Sequence, residues 1–147
     1  MNREIIYPYL LVLMQFICLA YLFVSAPMIS TGYAGILIES VGIFLGGLAV
    51  LNMRIGNFNI SPTNKENGIL VTHGIYSVIR HPMYLAQLLL FLPLVLDYYT
   101  YLRLIAFLLL MITLLLKVQY EESHLVDHYP GYRDYMKRTK KLIPFIY

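Results

Sequence analysis

The feature that most restricts the fold is the near absence of charge from the first third of the chain. Between Glu4 and Arg54 the only charged residue is Glu39. A membrane-spanning helix needs about 20 consecutive apolar residues, and this stretch supplies two such runs, which we place at 5–26 and 33–53. The first run is too long for the apolar part of a signal peptide and a second follows it directly, so we interpret it as a retained span.

Two further apolar runs, 82–96 and 98–116, follow in the second half of the chain, and the first of them is short for a span. The turn between them is rich in tyrosine, which is typical of a membrane interface, and Arg103 just beyond it is expected to extend outward to water. The sequence therefore predicts an all-α integral membrane protein with about four transmembrane helices, the third and fourth forming a helical hairpin.

The composition agrees with this class and bounds the domain count. Hydrophobic residues make up 59% of the 147 residues and charged residues 13%, far from the average of soluble domains. With most residues in spans, there is room for a single domain, 1–147. Within it, we expect residues 1–56 to hold the first two spans and residues 57–147 to hold the polar motifs and a C-terminal helical tail.

Positive charge is distributed unequally between the predicted loops. Arg54, Lys65 and Arg80 lie between the second and third spans, a larger basic group follows the fourth, and the loop between the first two spans has none. Because Lys and Arg accumulate in cytoplasmic loops, we expect both termini to be cytoplasmic. The net charge of +3 then indicates contact with anionic membrane lipids and no role in nucleic-acid binding.

Inside the second span, Glu39 is a single acidic residue among apolar ones. An ionisable group is expensive in lipid, so this side chain should face protein or water. A structural hydrogen bond and a place along a substrate passage are both consistent with it.

The first polar motif lies directly before the third span. It comprises Gly74-x-Tyr76 followed by Arg80-His81-Pro82-x-Tyr84 and comes after a segment, 57–73, whose Asn, Ser, Pro and Gly content predicts a loop. Proline is favoured in the first turn of a helix, so the motif marks a helix start at the membrane surface. Free backbone donors at that start, next to an arginine, can hold an anion.

The second polar motif follows the fourth span. Glu121-Glu122-x-x-Leu125 continues that helix out of the bilayer, and Tyr132, Tyr135 and Arg138 come after it. Two carboxylates at a helix end, opposite a cluster of Arg and His, can bind an ammonium or ribose hydroxyls of a ligand. A solvated amphipathic tail is the alternative interpretation of these residues alone.

Together, the two motifs and the hairpin between them resemble the isoprenylcysteine carboxyl methyltransferase family, which includes phospholipid methyltransferase relatives. The resemblance covers residues 68–145. It implies an all-α membrane fold in which the second half of the chain is catalytic and S-adenosylmethionine binds at the cytosolic surface. Carried over by position, the cofactor site would comprise Tyr76, Arg80, His81, Pro82, Tyr84, Glu121, Glu122, Tyr132 and Tyr135.

This resemblance also implies a reaction, methyl transfer to a lipophilic acceptor, with a carboxylate of isoprenylcysteine type as the leading candidate. Because a sulfonium is already an activated methyl donor, the protein must mainly align the displacement and exclude water. Arg138 would then clamp the acceptor carboxylate. An amine acceptor, as in phospholipid N-methylation, would need a base, for which Glu122 is the candidate.

Two other function classes stay open at this stage. One is an NADPH-dependent membrane reductase of the steroid-reductase type, and the other is a non-catalytic membrane subunit. The absence of a Gly-rich dinucleotide motif is weak evidence against the reductase. His124 and His128 lie one helical turn apart near Glu121, which is compatible with a metal site, but we expect no metal because surface histidines near headgroups are the more ordinary account. The oligomeric state is left open.

Overall fold

The structure, a computed structural model, describes residues 3–53 and 70–144. Within these ranges the chain forms five α-helices and one short 3-10 helix, Gly74–Ser77. The α-helices are α1 Arg3–Ser25, α2 Tyr33–Met53, α3 Pro82–Asp97, α4 Tyr101–His128 and α5 Tyr132–Arg138. The all-α prediction is therefore confirmed in the described residues, whereas most of the predicted loop, 57–69, falls outside them.

Three of these helices, α1, α2 and α4, are long and apolar enough to cross a membrane, whereas α3 has only 16 residues. The predicted four spans thus correspond to three full-length helices and one shorter apolar helix among the described residues. Most apolar side chains on α1 and α2 lie on the outside of the bundle. An apolar surface this extensive belongs in lipid, and the chain is an integral membrane protein.

The helices pack in two pairs, α2 along α3 and α1 along α4, with α3 and α4 joined by the tyrosine-rich turn. Gly42 lets α2 and α3 approach closely, because a Cβ there would lie 3.1 Å from the Ala86 carbonyl oxygen and 3.1 Å from the Leu90 nitrogen. A shared apolar core joins the pairs and includes Leu22 and Leu110. The predicted hairpin of the third and fourth apolar helices is confirmed.

At the end of the bundle that holds the α3–α4 turn, buried Glu39 accepts hydrogen bonds from the Ser30 backbone N–H at 3.1 and 3.2 Å. The Ser30 hydroxyl in turn donates to Asp97 at 2.5 Å, and the Thr31 N–H donates to the same carboxylate at 2.7 Å. These bonds tie the α1–α2 loop to the end of α3. Of the two roles considered for Glu39, the described contacts show the structural one.

The expectation that the Arg103 side chain extends outward to water is wrong. Its guanidinium donates to the Ser25 hydroxyl at 3.2 Å and also to the backbone carbonyls of Ser25 and Tyr98. Those carbonyls lie at the C-terminal ends of α1 and α3, where helices leave backbone acceptors unsatisfied. The arginine is retained by these acceptors instead of reaching for water.

Candidate functional site

The site begins with the segment that leads into α3, where a tight backbone turn positions Tyr76. Gly74 has φ +60, and a Cβ at this position would collide with the side chain of Asn52 from α2. Only glycine adopts this left-handed backbone conformation readily and also fits beside the Asn52 side chain. The 3-10 turn that follows buries Tyr76, and Pro82 starts α3 in its first turn as predicted.

A short stretch of backbone pairing brings the C-terminal tail against this segment. The Arg80 N–H donates to the Lys140 carbonyl at 2.8 Å and the His81 N–H donates to the Lys141 carbonyl at 3.0 Å. The hydroxyl of Tyr135 on α5 donates to the Tyr76 carbonyl at 2.6 Å. The two polar motifs, which are distant in sequence, therefore meet at one end of the bundle, which we call the site end.

Arg80 is the buried link between α4 and the tail. Its Nε lies 2.7 Å from Glu122 Oε1, and its Nη1 donates to the Thr139 carbonyl at 2.6 Å and the Met136 carbonyl at 3.2 Å. The guanidinium thus pairs with a carboxylate and also satisfies carbonyls at the C-terminal end of α5. This geometry gives Arg80 a positioning role, and the cofactor contact that the resemblance implies for it stays a prediction.

His81 lies between the two carboxylates of α4. Its Nε2 is 3.3 Å from Glu122 Oε1 and its Nδ1 is 3.5 Å from Glu121 Oε2, while its ring stacks on that of Tyr84. Burial lowers the pKa of His81, but the hydrogen bonds and negative charge of Glu121 and Glu122 outweigh it, so the pKa lies above its ordinary value. The imidazolium form, with two N–H donors, is thus more favoured than in a free histidine.

The two neighbouring glutamates have different surroundings. Glu122 is enclosed, with its side chain 6% exposed and with Arg80, His81 and the Lys141 ammonium (3.8 Å) around it. Glu121 is 19% exposed and accepts a hydrogen bond from the Tyr84 hydroxyl at 2.5 Å. A ligand can therefore reach Glu121 more readily, whereas Glu122 is already neutralised by cations of the protein.

Three buried tyrosines, Tyr76, Tyr132 and Tyr135, pack at the site end. Burial raises the pKa of Tyr135 to about 12 and raises the pKa values of Tyr76 and Tyr132 beyond the usual range, so all three phenols stay neutral donors at physiological pH. The rings of Tyr132 and Tyr135 contact each other edge to face. Tyrosine faces of this kind stabilise a nearby cation.

The hydroxyl of Tyr76 is buried and has no hydrogen-bond partner among the described residues. An unsatisfied buried hydroxyl costs free energy, so a polar ligand atom that bonded to it would remove that cost. Together with the accessible carboxylate of Glu121 and the tyrosine faces, it fits a ligand that carries an ammonium, a sulfonium and polar ribose atoms. The residues present thus fit S-adenosylmethionine.

Arg138 is the predicted site residue that does not join this cluster. It is exposed at the end of α5, and its Nε donates to the Asp134 carbonyl of its own helix at 3.4 Å. The other predicted positions, from Tyr76 to Tyr84, at Glu121 and Glu122, and at Tyr132 and Tyr135, all lie at the site end.

Three polar residues that the sequence interpretation did not assign to the site lie next to it. The Lys117 ammonium donates to Gln15 at 2.7 Å, Gln15 donates to Gln87 at 2.8 Å, and Lys117 lies over the ring of Tyr84 with its Nζ 5.1 Å from the centroid. A signal for them was present, because each is a polar residue within an apolar helix, where it is expensive unless partnered.

The histidines considered for a metal have aromatic neighbours. His124 Nδ1 lies 2.8 Å from the Tyr120 carbonyl and its ring packs on that of Tyr120, while the His128 ring contacts Tyr129. Within residues 3–53 and 70–144, no group of three or more His, Cys, Asp or Glu residues is arranged to hold a metal ion.

Comparison with known proteins gives one family match. A family model described as phospholipid methyltransferase matches residues 5–131, which is well over half of the chain. The match includes α1 to α4, both motifs up to the paired glutamates, and the first two spans, which the sequence resemblance did not cover. No curated protein and no solved structure matches the chain.

Proposed function

The protein belongs to the phospholipid methyltransferase family, and we propose that it transfers the methyl group of S-adenosylmethionine to a lipophilic acceptor at the membrane surface. The observation that carries the proposal is the meeting of both polar motifs at the site end, where Glu121 is accessible and the Tyr76 hydroxyl has no hydrogen-bond partner among the described residues. A polar ligand could form a hydrogen bond with each of these two groups, the Glu121 carboxylate and the Tyr76 hydroxyl.

The cofactor would be held by three kinds of group. Glu121 would accept hydrogen bonds from its ammonium or ribose hydroxyls, the Tyr76 hydroxyl would bond to one of its polar atoms, and the faces of Tyr132 and Tyr135 would lie near its positive charge. When bound, S-adenosylmethionine supplies a methyl group already activated by the sulfonium. The chain's own residues then have to hold the acceptor in line and keep water out.

Three residues position the elements of this site without a proposed contact to the cofactor: Arg80, His81 and Glu122. Their mutual contacts of 2.7 and 3.3 Å hold the start of α3 against α4. With these cations beside it, Glu122 is a poor proton acceptor, so this geometry favours a positioning role over that of a base. Pro82, the next residue after His81, starts α3 in its first turn.

For the acceptor, we propose the amine of a phospholipid headgroup first, because the matching family model carries the phospholipid description. Glu121 is then the better candidate to receive the proton that the amine releases, because it is the more exposed carboxylate and contacts only His81 among the described basic side chains, whereas Glu122 contacts three of them.

An isoprenylcysteine carboxylate is the second candidate, favoured by the basic residues at the end of α5. Arg138 and Lys137 both lie on its exposed last turn. A movement of α5 would be needed to bring the Arg138 guanidinium onto an acceptor carboxylate.

We further propose that the site end faces the cytosol. The basic residues of the described tail, Arg133, Lys137, Arg138, Lys140 and Lys141, all lie at this end with the site, as expected for the cytoplasmic side of a membrane.

The test is transfer of tritiated methyl from S-adenosylmethionine by detergent-purified protein, with phosphatidylethanolamine, a farnesylcysteine and a lipid lacking both groups as separate acceptors. Label in the phosphatidylethanolamine product supports the amine, and label in a farnesylcysteine ester supports the carboxylate. Saturable binding of NADPH without binding of S-adenosylhomocysteine would contradict the proposal and favour a reductase. Binding of neither would favour a non-catalytic subunit.

A further inference from the structure

Next to the site, on the side of the bundle interior, three polar side chains from three different helices meet. Lys117 of α4 donates to Gln15 of α1, which donates to Gln87 of α3. Lys117 is 3% exposed and Gln15 is 6% exposed, so this polar group is enclosed within the apolar bundle. Polar residues at such positions in a membrane protein commonly mark a functional site.

Lys117 has no close ion-pair partner among the described residues, although the carboxylate of Glu121 is near enough to attract its charge. Among the described residues, no carboxylate oxygen lies within 4.0 Å of its Nζ, and its described contacts are one hydrogen bond to Gln15 and the face of Tyr84. Glu121, one turn further along α4, is engaged by Tyr84 and His81 instead. Buried lysines are almost always paired, and an ammonium has three N–H donors, so this one has donors to spare for an anion.

The ammonium of Lys117 is also placed differently from that of most lysines in membrane helices. A lysine near the end of a span normally extends its ammonium to water. Here the ammonium is held inside by Gln15 although the site end is only one helical turn away. A lysine needed only for topology would gain nothing from this burial.

We propose that Lys117 and Gln87 bind the oxyanion of a lipid acceptor, either a phosphate or a carboxylate, with Gln15 orienting both side chains. Gln87 accepts from Gln15 through its Oε1, which leaves its Nε2 as a second donor toward the anion. This inference rests on the proposed function, because it assigns a place to the acceptor of that reaction.

The spacing suits an acceptor whose reacting atom is close to its anionic group. Lys117 and Glu121 are four residues apart on α4, a rise of about 6 Å. In an ethanolamine phospholipid, two carbons separate the phosphate oxygen from the amine, so a phosphate at Lys117 would place the amine at the level of Glu121. For a carboxylate acceptor, Lys117 would hold the reacting group itself.

The experiment measures lipid binding without turnover. Lysophosphatidate, oleate and uncharged monooleoylglycerol are titrated calorimetrically into the whole protein in maltoside detergent, for the wild type, Lys117→Met and Lys117→Arg. We expect Lys117→Met to weaken binding of at least one anionic lipid about tenfold while leaving monooleoylglycerol unchanged, and Lys117→Arg to retain most of the affinity. Whether lysophosphatidate or oleate responds identifies the phosphate or the carboxylate.

Arg133→Met is the control, because Arg133 is an exposed cation on α5 to which no role in acceptor binding is assigned. It should bind all three lipids as the wild type does. If Lys117→Met fails to fold, Gln87→Leu at a half-buried position provides the same comparison. An equal loss of the charged and neutral lipids, or no loss of either, would overturn the inference and leave Lys117 a structural role.

S-adenosylhomocysteine binding separates this inference from the proposed function. Retained binding in Lys117→Met alongside a selective loss of anionic lipid supports both. Retained binding with no effect on lipid overturns only the lipid site. Absence of binding in the wild type overturns the proposed function, whatever the lipids do.

Discussion

Arg80 and Glu122, 42 residues apart, form a buried ion pair with 2.7 Å between Nε and Oε1. The same guanidinium binds the carbonyls of Met136 and Thr139, so a single side chain joins the start of α3, the exit of α4 and the end of α5. Removing one partner of a buried pair leaves the other charge uncompensated. The site therefore depends on Arg80 even though the cofactor need not touch it.

The first prediction concerns that pair. Arg80→Met should lower the free energy of unfolding by about 3–5 kcal/mol, because Glu122 and the α5 carbonyls lose their donor. Arg80→Lys should recover part of the loss, since it keeps the charge but not the fork of donors. Unfolding in mixed micelles measures both, with the exposed Arg133→Met as control. An effect of Arg80→Met no larger than that of the control would contradict the role.

The paired glutamates should separate into two roles. Glu121→Gln should weaken S-adenosylhomocysteine binding about tenfold with little change in stability, because Glu121 is the accessible carboxylate. Glu122→Gln should mainly destabilise the protein, because it leaves Arg80 and His81 without their shared acceptor. Calorimetry and unfolding together test this, with exposed Asp127→Asn on the same helix as control. Equal loss of ligand affinity in both glutamate variants would refute the division.

Tyr76→Phe should change stability and binding in opposite directions. The ligand-free protein should be unchanged or more stable by up to about 1 kcal/mol, because the hydroxyl that is removed has no described partner. Affinity for S-adenosylhomocysteine should fall about threefold to tenfold, because the ligand loses one hydrogen bond. Tyr99→Phe, at the exposed turn between α3 and α4, is the control for a lost surface hydroxyl. A destabilised variant with normal binding would show that the hydroxyl serves the fold.

A pH dependence follows from His81. Its pKa is raised in the folded protein, so its contribution to stability is fully present below the unfolded pKa of about 6.5 and is lost as the pH rises through the folded value. The stability of the wild type should therefore fall from about pH 6 upward relative to His81→Gln. The exposed His73→Gln should follow the wild type. Parallel curves for the wild type and His81→Gln would disprove the assignment.

Two glycines should respond to alanine with opposite signs. Gly74→Ala should destabilise the protein by more than about 1 kcal/mol, because its φ is +60 and the new Cβ would meet Asn52. Gly47→Ala, in a helix where a Cβ meets nothing within 4 Å, should stabilise it by about 1 kcal/mol. Thermal unfolding compares the two variants. A neutral Gly74→Ala would mean that the turn does not hold Tyr76 in place.

Hydrophobic length was enough to predict the four apolar helices. The second span was predicted at the bounds of α2, Tyr33–Met53, because the apolar run is delimited by a tyrosine and by Arg54. The fourth apolar helix was expected to continue through the paired glutamates, and α4 does so to His128. The beginning and end of an apolar helix depend mainly on the hydrophobicity and charge of neighbouring residues, which can be read directly from the sequence.

Long-range partners could not be derived in the same way. The bond from Gln15 to Gln87 spans 72 positions and depends on how α1 meets α3, which no local pattern encodes. Arg103 was expected in water because a lone arginine near a span usually extends outward, but unsatisfied helix-end carbonyls lie closer. Arg138 was assigned by motif position, whereas the short α5 leaves it exposed.

The proposed cofactor site is best tested by calorimetric titration of S-adenosylhomocysteine into the detergent-purified wild-type protein and Glu121→Gln, with NADPH as the comparison ligand. We expect saturable binding of S-adenosylhomocysteine in the wild type, about tenfold weaker binding in Glu121→Gln, and no binding of NADPH. Binding of NADPH alone, or wild-type affinity in Glu121→Gln, would contradict the site described here.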